Sequence, residues 1–229
     1  MFQAFINLLF PRTCLACQHL LGDQEQHVCM TCLATLPSAE LESHARRTSL
    51  TEKFYGLLPL QHAFSLYYFS KRGRVQKLLH HLKYHQQTEA LHFFGHHLGY
   101  KIQQTGHQAH FDLIIPVPLH PDRLQQRGYN QSECFAEGLS QALDIPMNKE
   151  ILQRDVHTST QTAKSRKARW KDLTGAFSLQ KNLRESLHKK KILLVDDLVT
   201  TGATIAASAQ PLLSAAPQAL SLATLALAV

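Results

Sequence analysis

The stretch from Lys191 to Thr204, KILLVDDLVTTGAT, constrains the fold more than any other part of the chain. Residues 192–195 are aliphatic without alternation, so a strand here must be covered on both faces. Two carboxylates follow, Asp196 and Asp197, then a threonine-rich turn around Gly202 and a small-residue helical segment, GATIAASAQPLLSAA. A buried strand that turns directly into a helix is the building unit of α/β proteins. The chain repeats it. AFSLYYFS (63–70) has strand composition, and Val75, Leu78, Leu79 and Leu82 then fall at helical spacing in RVQKLLHHLKYH. ALHFFGHHLGYKIQQ is a second helix, FDLIIPVPL a buried strand, NQSECFAEGLSQAL a helix and ALSLATLAL a last strand. The expected class is α/β, a parallel sheet with helices on both faces. Ligands in such sheets sit beyond the carboxyl ends of the strands, where DDLVTTGAT and PVPLHPDRLQQRGYN both lie.

The loop after Asp197 has the chemistry of a phosphate site. A helix N-terminus offers unpaired N–H groups and a partial positive charge. Gly202 permits a tight turn and close backbone approach, and Thr200, Thr201 and Thr204 add hydroxyl donors. No lysine is present in the loop, so it is not a nucleoside-triphosphate P-loop. Asp196 and Asp197 would repel a phosphate at their own position. They fit as acceptors for sugar hydroxyls or as ligands near a metal. A phosphate beside a vicinal diol points to a ribose 5-phosphate.

Five cysteines are present. Cys14 and Cys17 form one C-x2-C, Cys29 and Cys32 a second, with eleven residues between. Two such turns supply four thiolates for a closed tetrahedral site, which suits structural zinc; disulfides, a redox pair and iron–sulfur are the alternatives. Cys134, on an apolar helical face, is expected to be a core residue. The expected organisation is a zinc module over residues 1–45 that needs its metal to fold, a polar linker over 46–60 and the α/β domain over 61–229.

The net charge of +7 is localised. Residues 150–191 hold eleven Lys/Arg and four Asp/Glu, while the rest of the chain has 13 of each. A concentrated basic segment is either a solvated face or a footprint for an anionic partner. Phe2, Phe5, Ile6 and Leu9 make the stripe of a short amphipathic helix before Pro11, without a basic n-region or cleavage site. Residues 198–229 carry no charge, but Pro211, Pro217 and scattered polar residues mark them as helix, turn and core strand rather than a membrane span. The expected location is the cytoplasm.

ILLVDDLVTTGAT resembles the PRPP-binding motif of type I phosphoribosyltransferases, an apolar run, two acids, then T-T-G-x-T. The resemblance implies that Asp196 and Asp197 hold the ribose hydroxyls and act as the catalytic acids. It places Thr200, Thr201, Gly202, Ala203 and Thr204 on the 5-phosphate and implies Mg2+ with PRPP. Over essentially its full length the chain resembles the ComF/GntX family, which places a four-cysteine zinc finger ahead of a transferase-like domain. LLHHLKYH, IIPVPLHPDRLQQRGYNQS and RDVHTSTQTAKSRKARWKDLTGAF carry that likeness, with Thr160–Gln161–Thr162 in the last; Asp172 stands where the family shows asparagine. Members are associated with natural transformation and handle incoming single-stranded DNA after uptake. The implied partners are PRPP, single-stranded DNA and a DNA-uptake helicase or recombination protein.

The likeness to transferases makes Lys83 a candidate for the pyrophosphate side; Arg127 is a second, preferred over Arg123 because Gly128 frees the backbone next to it, and the alternative for both is solvent-facing cations. Lys164, Arg166, Lys167, Arg169 and Trp170 lie in a segment that the likeness to transferases implies is a mobile hood, here basic (150–178). Basic residues around an aromatic suit single-stranded nucleic acid, and a packing anchor is the other reading of Trp170. His81/His85 and His92/His96 have i, i+4 spacing but no glutamate between them at the catalytic position. Two functions remain: a competence-type protein that binds PRPP or a related phosphosugar and handles single-stranded DNA, and an active phosphoribosyltransferase with a nitrogenous acceptor. A zinc-ribbon adaptor with a dead ligand site is the fallback.

Overall fold

Four strands form one all-parallel sheet: β1 (Leu60–Phe69), β2 (Leu113–Pro116), β5 (Lys191–Val199) and β6 (Ala219–Ala228), in the order β1-β6-β5-β2. A separate antiparallel ribbon pairs β3 (Leu152–Arg154) with β4 (Phe177–Leu179). The computed structural model describes residues 11–39, 49–84, 86–107, 110–154 and 175–228.

Both faces of the sheet are buried, and the two-residue period of β5 shows how. Leu193 and Val195 enter one apolar cluster with Leu78, Leu82, Leu91, Phe94, Phe135 and Leu139. Ile192 and Leu194 enter the other, with Leu50, Phe54, Ile205 and Leu212. Alternate residues of one strand therefore serve opposite layers, which is why the run shows no polar positions. The first layer is built by α3 (Arg74–Tyr84), α4 (Thr88–Gln104) and α6 (Gln131–Leu143); the second by α7 (Ala203–Leu213) and the short α2 (Ser49–Lys53). The parallel α/β class read from the sequence is the architecture found. The helix after Gly202 runs on through Pro211 to Leu213.

Helices α4 and α6 approach closely because both carry glycine at the crossing. A Cβ on Gly95 would lie 2.1 Å from Phe135 O, and one on Gly138 2.1 Å from His92 O. No side chain fits there, so backbone packs on backbone and α6 is held at a fixed depth over the sheet.

The cysteine-bearing segment packs on the same body. Its helix α1 (Met30–Thr35) is followed by a strip that lines the open edge of β1: Tyr68 N donates to Pro37 O at 2.8 Å and Ala39 N to Leu66 O at 3.0 Å. An edge strand with unpaired N–H groups is an aggregation template, and this strip covers part of it. Arg74 Nη1 donates to Thr35 Oγ1 at 3.0 Å and ties α3 to the same segment. No described helix is long and apolar enough to cross a membrane.

Candidate active site at the carboxyl end of strand five

Asp196 and Asp197 are the sixth and seventh residues of β5, at the carboxyl end of the sheet. Asp196 is buried, and its Oδ1 accepts from Ser132 Oγ at 2.9 Å and from Asp197 N at 2.9 Å. Burial, reinforced by the negative charge of Asp197, pushes its carboxyl up to about 7, against the pull of Ser132, the Asp197 N–H and Lys83. Asp197 is half-buried and its Oδ2 stands 3.0 Å from Lys83 Nζ.

The positions of Ser132 and Lys83 follow from the GYN turn that precedes α6. Asn130 caps α6, its side chain accepting from Ser132 N at 3.2 Å while its Nδ2 donates to Val117 O at 3.0 Å. One asparagine thus stitches the helix start to the segment leaving β2 and presents Ser132 to Asp196. Tyr129 OH donates to Leu82 O at 2.5 Å, which holds the last turn of α3 and so the neighbouring Lys83. Gly128, at φ 79°, closes the short helix α5 (Pro121–Arg127) with its N–H on Leu124 O at 2.7 Å.

The loop from Thr200 to Thr204 enters α7 through Gly202, whose φ is 82°. A Cβ there would meet Phe54 Cε1 at 2.7 Å, so both the backbone angle and the space require glycine. Gly202, the N-cap residue of α7, has no side chain to cap it, whereas Asn130 caps α6; among the described residues Ala203 N has a long contact, 3.4 Å, to Thr201 Oγ1. An uncapped helix start beside three threonine hydroxyls is an arrangement that can take an anion.

Two further cations border this end of the sheet. Arg127 Nη1 donates to Gln131 Oε1 at 2.8 Å, and its guanidinium lies 5.7 Å from the ring centre of Tyr84, next to Lys83. Arg154, at the end of β3, stacks 5.2 Å over Phe177. Burial lowers its pKa, the charge of Arg123 lowers it further, and that of Asp196 opposes both. Arg123 itself is exposed. Arg154, Ser132 and Asn130 were not singled out as site residues from the sequence. A basic residue ending a three-residue strand and polar residues opening a helix carry no local sign of what they face.

Cys14, Cys17, Cys29 and Cys32 meet at the other candidate site. All four sulfurs lie within 4.8 Å of one another, and Cys17 Sγ is 3.7 Å from Cys29 Sγ. That is a non-bonded distance, and none of the four is in a disulfide. Tetrahedral metal–sulfur bonds of about 2.3 Å place sulfurs about 3.8 Å apart, so the donor set fits such an ion. Cys29 N donates to Cys14 Sγ at 3.3 Å and Cys32 N to Cys29 Sγ at 3.4 Å, the backbone contacts expected around thiolates. Burial raises the Cys14 thiol, but backbone N–H groups of Cys29, Cys17 and Ala16 outweigh it and hold the group at about 7. The cluster can hold a metal ion.

Lys164, Arg166, Lys167, Arg169 and Trp170 lie outside the described residues, as do Phe2, Phe5, Ile6, Leu9 and His85. Of the other spaced histidines, His92 Nε2 lies 2.6 Å from Glu137 Oε2 of α6.

Residues 130–228 match the phosphoribosyl transferase domain family. The match opens at the capping Asn130 and contains Ser132, both aspartates and the threonine loop. The chain is 44% identical over 94 residues to competence protein F of Haemophilus influenzae, 41% of either protein. It is 34% identical over 143 residues to DNA utilization protein YhgH of Shigella flexneri, 61% of either. With competence protein ComFC of Bacillus subtilis it shares 24% over 204 residues, 88% of this chain and 78% of that one. The aligned stretches thus span 41% and 61% of the first two relatives. The chain is a homologue of these competence and DNA-utilization proteins, with a phosphoribosyl transferase domain in its carboxyl half and a four-cysteine module ahead of it.

Proposed function

We propose that this protein binds PRPP, or a related phosphosugar, at the carboxyl end of β5, and acts in handling single-stranded DNA during natural transformation. The observation that carries the reading is the row Ser132–Asp196–Asp197–Lys83, set beside an uncapped helix start. In this reading the threonine loop takes the 5-phosphate, with Thr200, Thr201, Gly202, Ala203 and Thr204 around it. Asp196 and Asp197 accept from the ribose hydroxyls. Lys83 and Arg127 take the pyrophosphate side, where Mg2+ supplies charge neutralisation when bound. Lys83, which pairs with Asp197 at 3.0 Å, is in this reading the lysine that a pyrophosphate would draw away.

The DNA part rests on the +7 carried by residues 150–191 and on the names of the relatives. Zinc is the ion proposed for the four cysteines, because four thiolates on two tight turns make a closed site for a borderline-soft ion. The cytoplasm is the proposed location; no described helix is long and apolar enough to cross a membrane.

Calorimetric titration of PRPP with Mg2+ into the native protein and an Asp197→Ala variant tests the reading. Binding to the native protein that the variant loses supports it; no binding to the native protein overturns it. The phosphoribosyl transferase match favours a second reading, transfer of ribose 5-phosphate to a nitrogenous acceptor. Pyrophosphate release with a panel of bases supports transfer, and silence across the panel leaves binding alone.

A further inference from the structure

Three histidines converge nearer the amino ends of the strands, away from the loop after β5. Asp196 pairs with Thr224 of β6, and Thr224 with Ser65 of β1; His62 lies three residues before Ser65. His62 also falls where the β1–β6 register shifts, between Leu60 and Ala63, and such irregularities re-aim side chains. His107 and His110 come from the segment between α4 and β2. One ring nitrogen of each histidine lies within 4.8 Å of the other two. His62 Nε2 and His110 Nδ1 are 3.0 Å apart, and the His107 ring meets the His62 ring at 4.7 Å and 69°.

The tautomer of His107 follows from its neighbours. Thr105 Oγ1 donates its single proton to Ile102 O at 2.7 Å. Toward His107 Nδ1, 2.7 Å away, the hydroxyl is therefore the acceptor, and Nδ1 carries the hydrogen. The lone pair of His107 is on Nε2. A ring fixed through one nitrogen with its lone pair presented on the other is how proteins orient metal-binding histidines. His107 is 1% exposed and packed edge-on against Phe64, so the ring is held in place.

We propose that His62, His107 and His110 bind a first-row divalent transition ion, separate from the four-cysteine site. Neutral imidazoles suit zinc, nickel and copper and give little to magnesium or calcium. Metal–nitrogen bonds of about 2.0 Å set tetrahedral ligands about 3.3 Å apart, and the 3.0 Å pair needs only a small opening. For both nitrogens to bind the ion, the hydrogen between His62 Nε2 and His110 Nδ1 shifts to the other nitrogen of the ring that carries it. Each imidazole stays neutral and no net proton is released. Three protein ligands leave a fourth position for water. The bound ion ties the segment entering β2 to the start of β1 at the opposite edge of the sheet.

Cobalt(II) titration of the full chain, starting metal-free, distinguishes the sites. Thiolate ligation gives intense near-ultraviolet charge-transfer absorption, and imidazole ligation gives only weaker visible bands. The expected result is two ions per chain, one with each signature. His62→Gln and His110→Gln, both at half-buried positions, remove the second ion only, with the circular dichroism spectrum unchanged. Thr105→Val keeps all three ligands but releases the His107 tautomer, and weakens that ion about 10-fold or more. A native protein that takes up only the thiolate-bound ion overturns the proposal, as does an imidazole signature that survives in His62→Gln and His110→Gln.

Discussion

Ser132 Oγ, at the start of α6, donates to Asp196 Oδ1 at 2.9 Å, so a helix on one face of the sheet favours the charged form of a carboxyl in the strand beneath it. Burial and Asp197 raise that carboxyl to about 7, well above the ~3.9 of an unfolded chain. Between these values the folded protein holds a proton that the unfolded chain has released. Stability from this group is therefore complete below about pH 4, falls as pH rises toward 7 and is level above. Asp196→Asn cannot ionise, so it loses less stability than the native protein between pH 5 and 8, by roughly 1–3 kcal/mol. Thermal unfolding of both proteins at the two pH values measures this. Parallel losses would show that Asp196 titrates like an exposed carboxyl.

The pair of Lys83 Nζ and Asp197 Oδ2 is half-buried at both ends. Lys83→Met leaves Asp197 without that charge and lowers stability by about 1 kcal/mol, because the site is still wet enough to screen it. Adding Asp197→Asn restores most of the loss. PRPP affinity should behave differently: in the proposed reading both groups contact the ligand, so it drops at least about 10-fold in Lys83→Met and is not restored in the double variant. Urea unfolding and calorimetry on the four proteins of the cycle separate the two effects. Recovery of binding together with stability would reduce Lys83 to a counter-charge.

Gly138 admits no side chain, with His92 O 2.1 Å from where its Cβ would be. Gly138→Ala gains roughly 1 kcal/mol of helix propensity but forces α4 and α6 apart, at about 1–3 kcal/mol or more for overpacking. The expected outcome is net destabilisation, read as a lower urea midpoint. Ser132 rides on the displaced helix, so the Asp196 pKa measured by NMR rises further. An unchanged midpoint would mean that the two helices have room to spare.

Much of this was legible because the relevant signals are local. A continuous apolar run, two acids and a glycine turn sit within fourteen residues, and two C-x2-C turns need no tertiary information. What the sequence hid is non-local or short. Ser132 and Asp196 are 64 positions apart and meet where Asn130 ties the start of α6 to the segment leaving β2. Helix α2 has five residues, and Leu50 and Phe54 show a single i, i+4 step, too little periodicity to stand out from a polar stretch. Yet Phe54 is the wall that Gly202 packs against. Strands β3 and β4 have three residues each, below the length at which alternation shows. Histidine spacing along helices pointed to 81/85 and 92/96. The three histidines that cluster come from a register shift and an inter-element loop, which no spacing rule links.

Metal removal should act beyond the cysteines themselves. The 29–35 segment, with two of the four thiols, leads directly into the strip at Pro37–Ala39 that hydrogen-bonds along the edge of β1. Leu15, Val28 and Leu36 share the main core, but the turns that carry the thiols are expected to lose their order without the proposed ion. Stripping the metal with a strong chelator, or replacing the half-buried Cys17 with serine, frees that strip and bares the N–H and C=O groups of β1. The sheet behind it keeps its two apolar layers, so far-ultraviolet dichroism falls only in part. The exposed edge then templates association. Light scattering should therefore rise with protein concentration in the chelated sample and return to baseline when zinc, the proposed ion, is added before aggregates mature. A chelated protein that remains monodisperse at high concentration would show that the strip holds to β1 without the metal, and that the ion's role is confined to the four-cysteine turns.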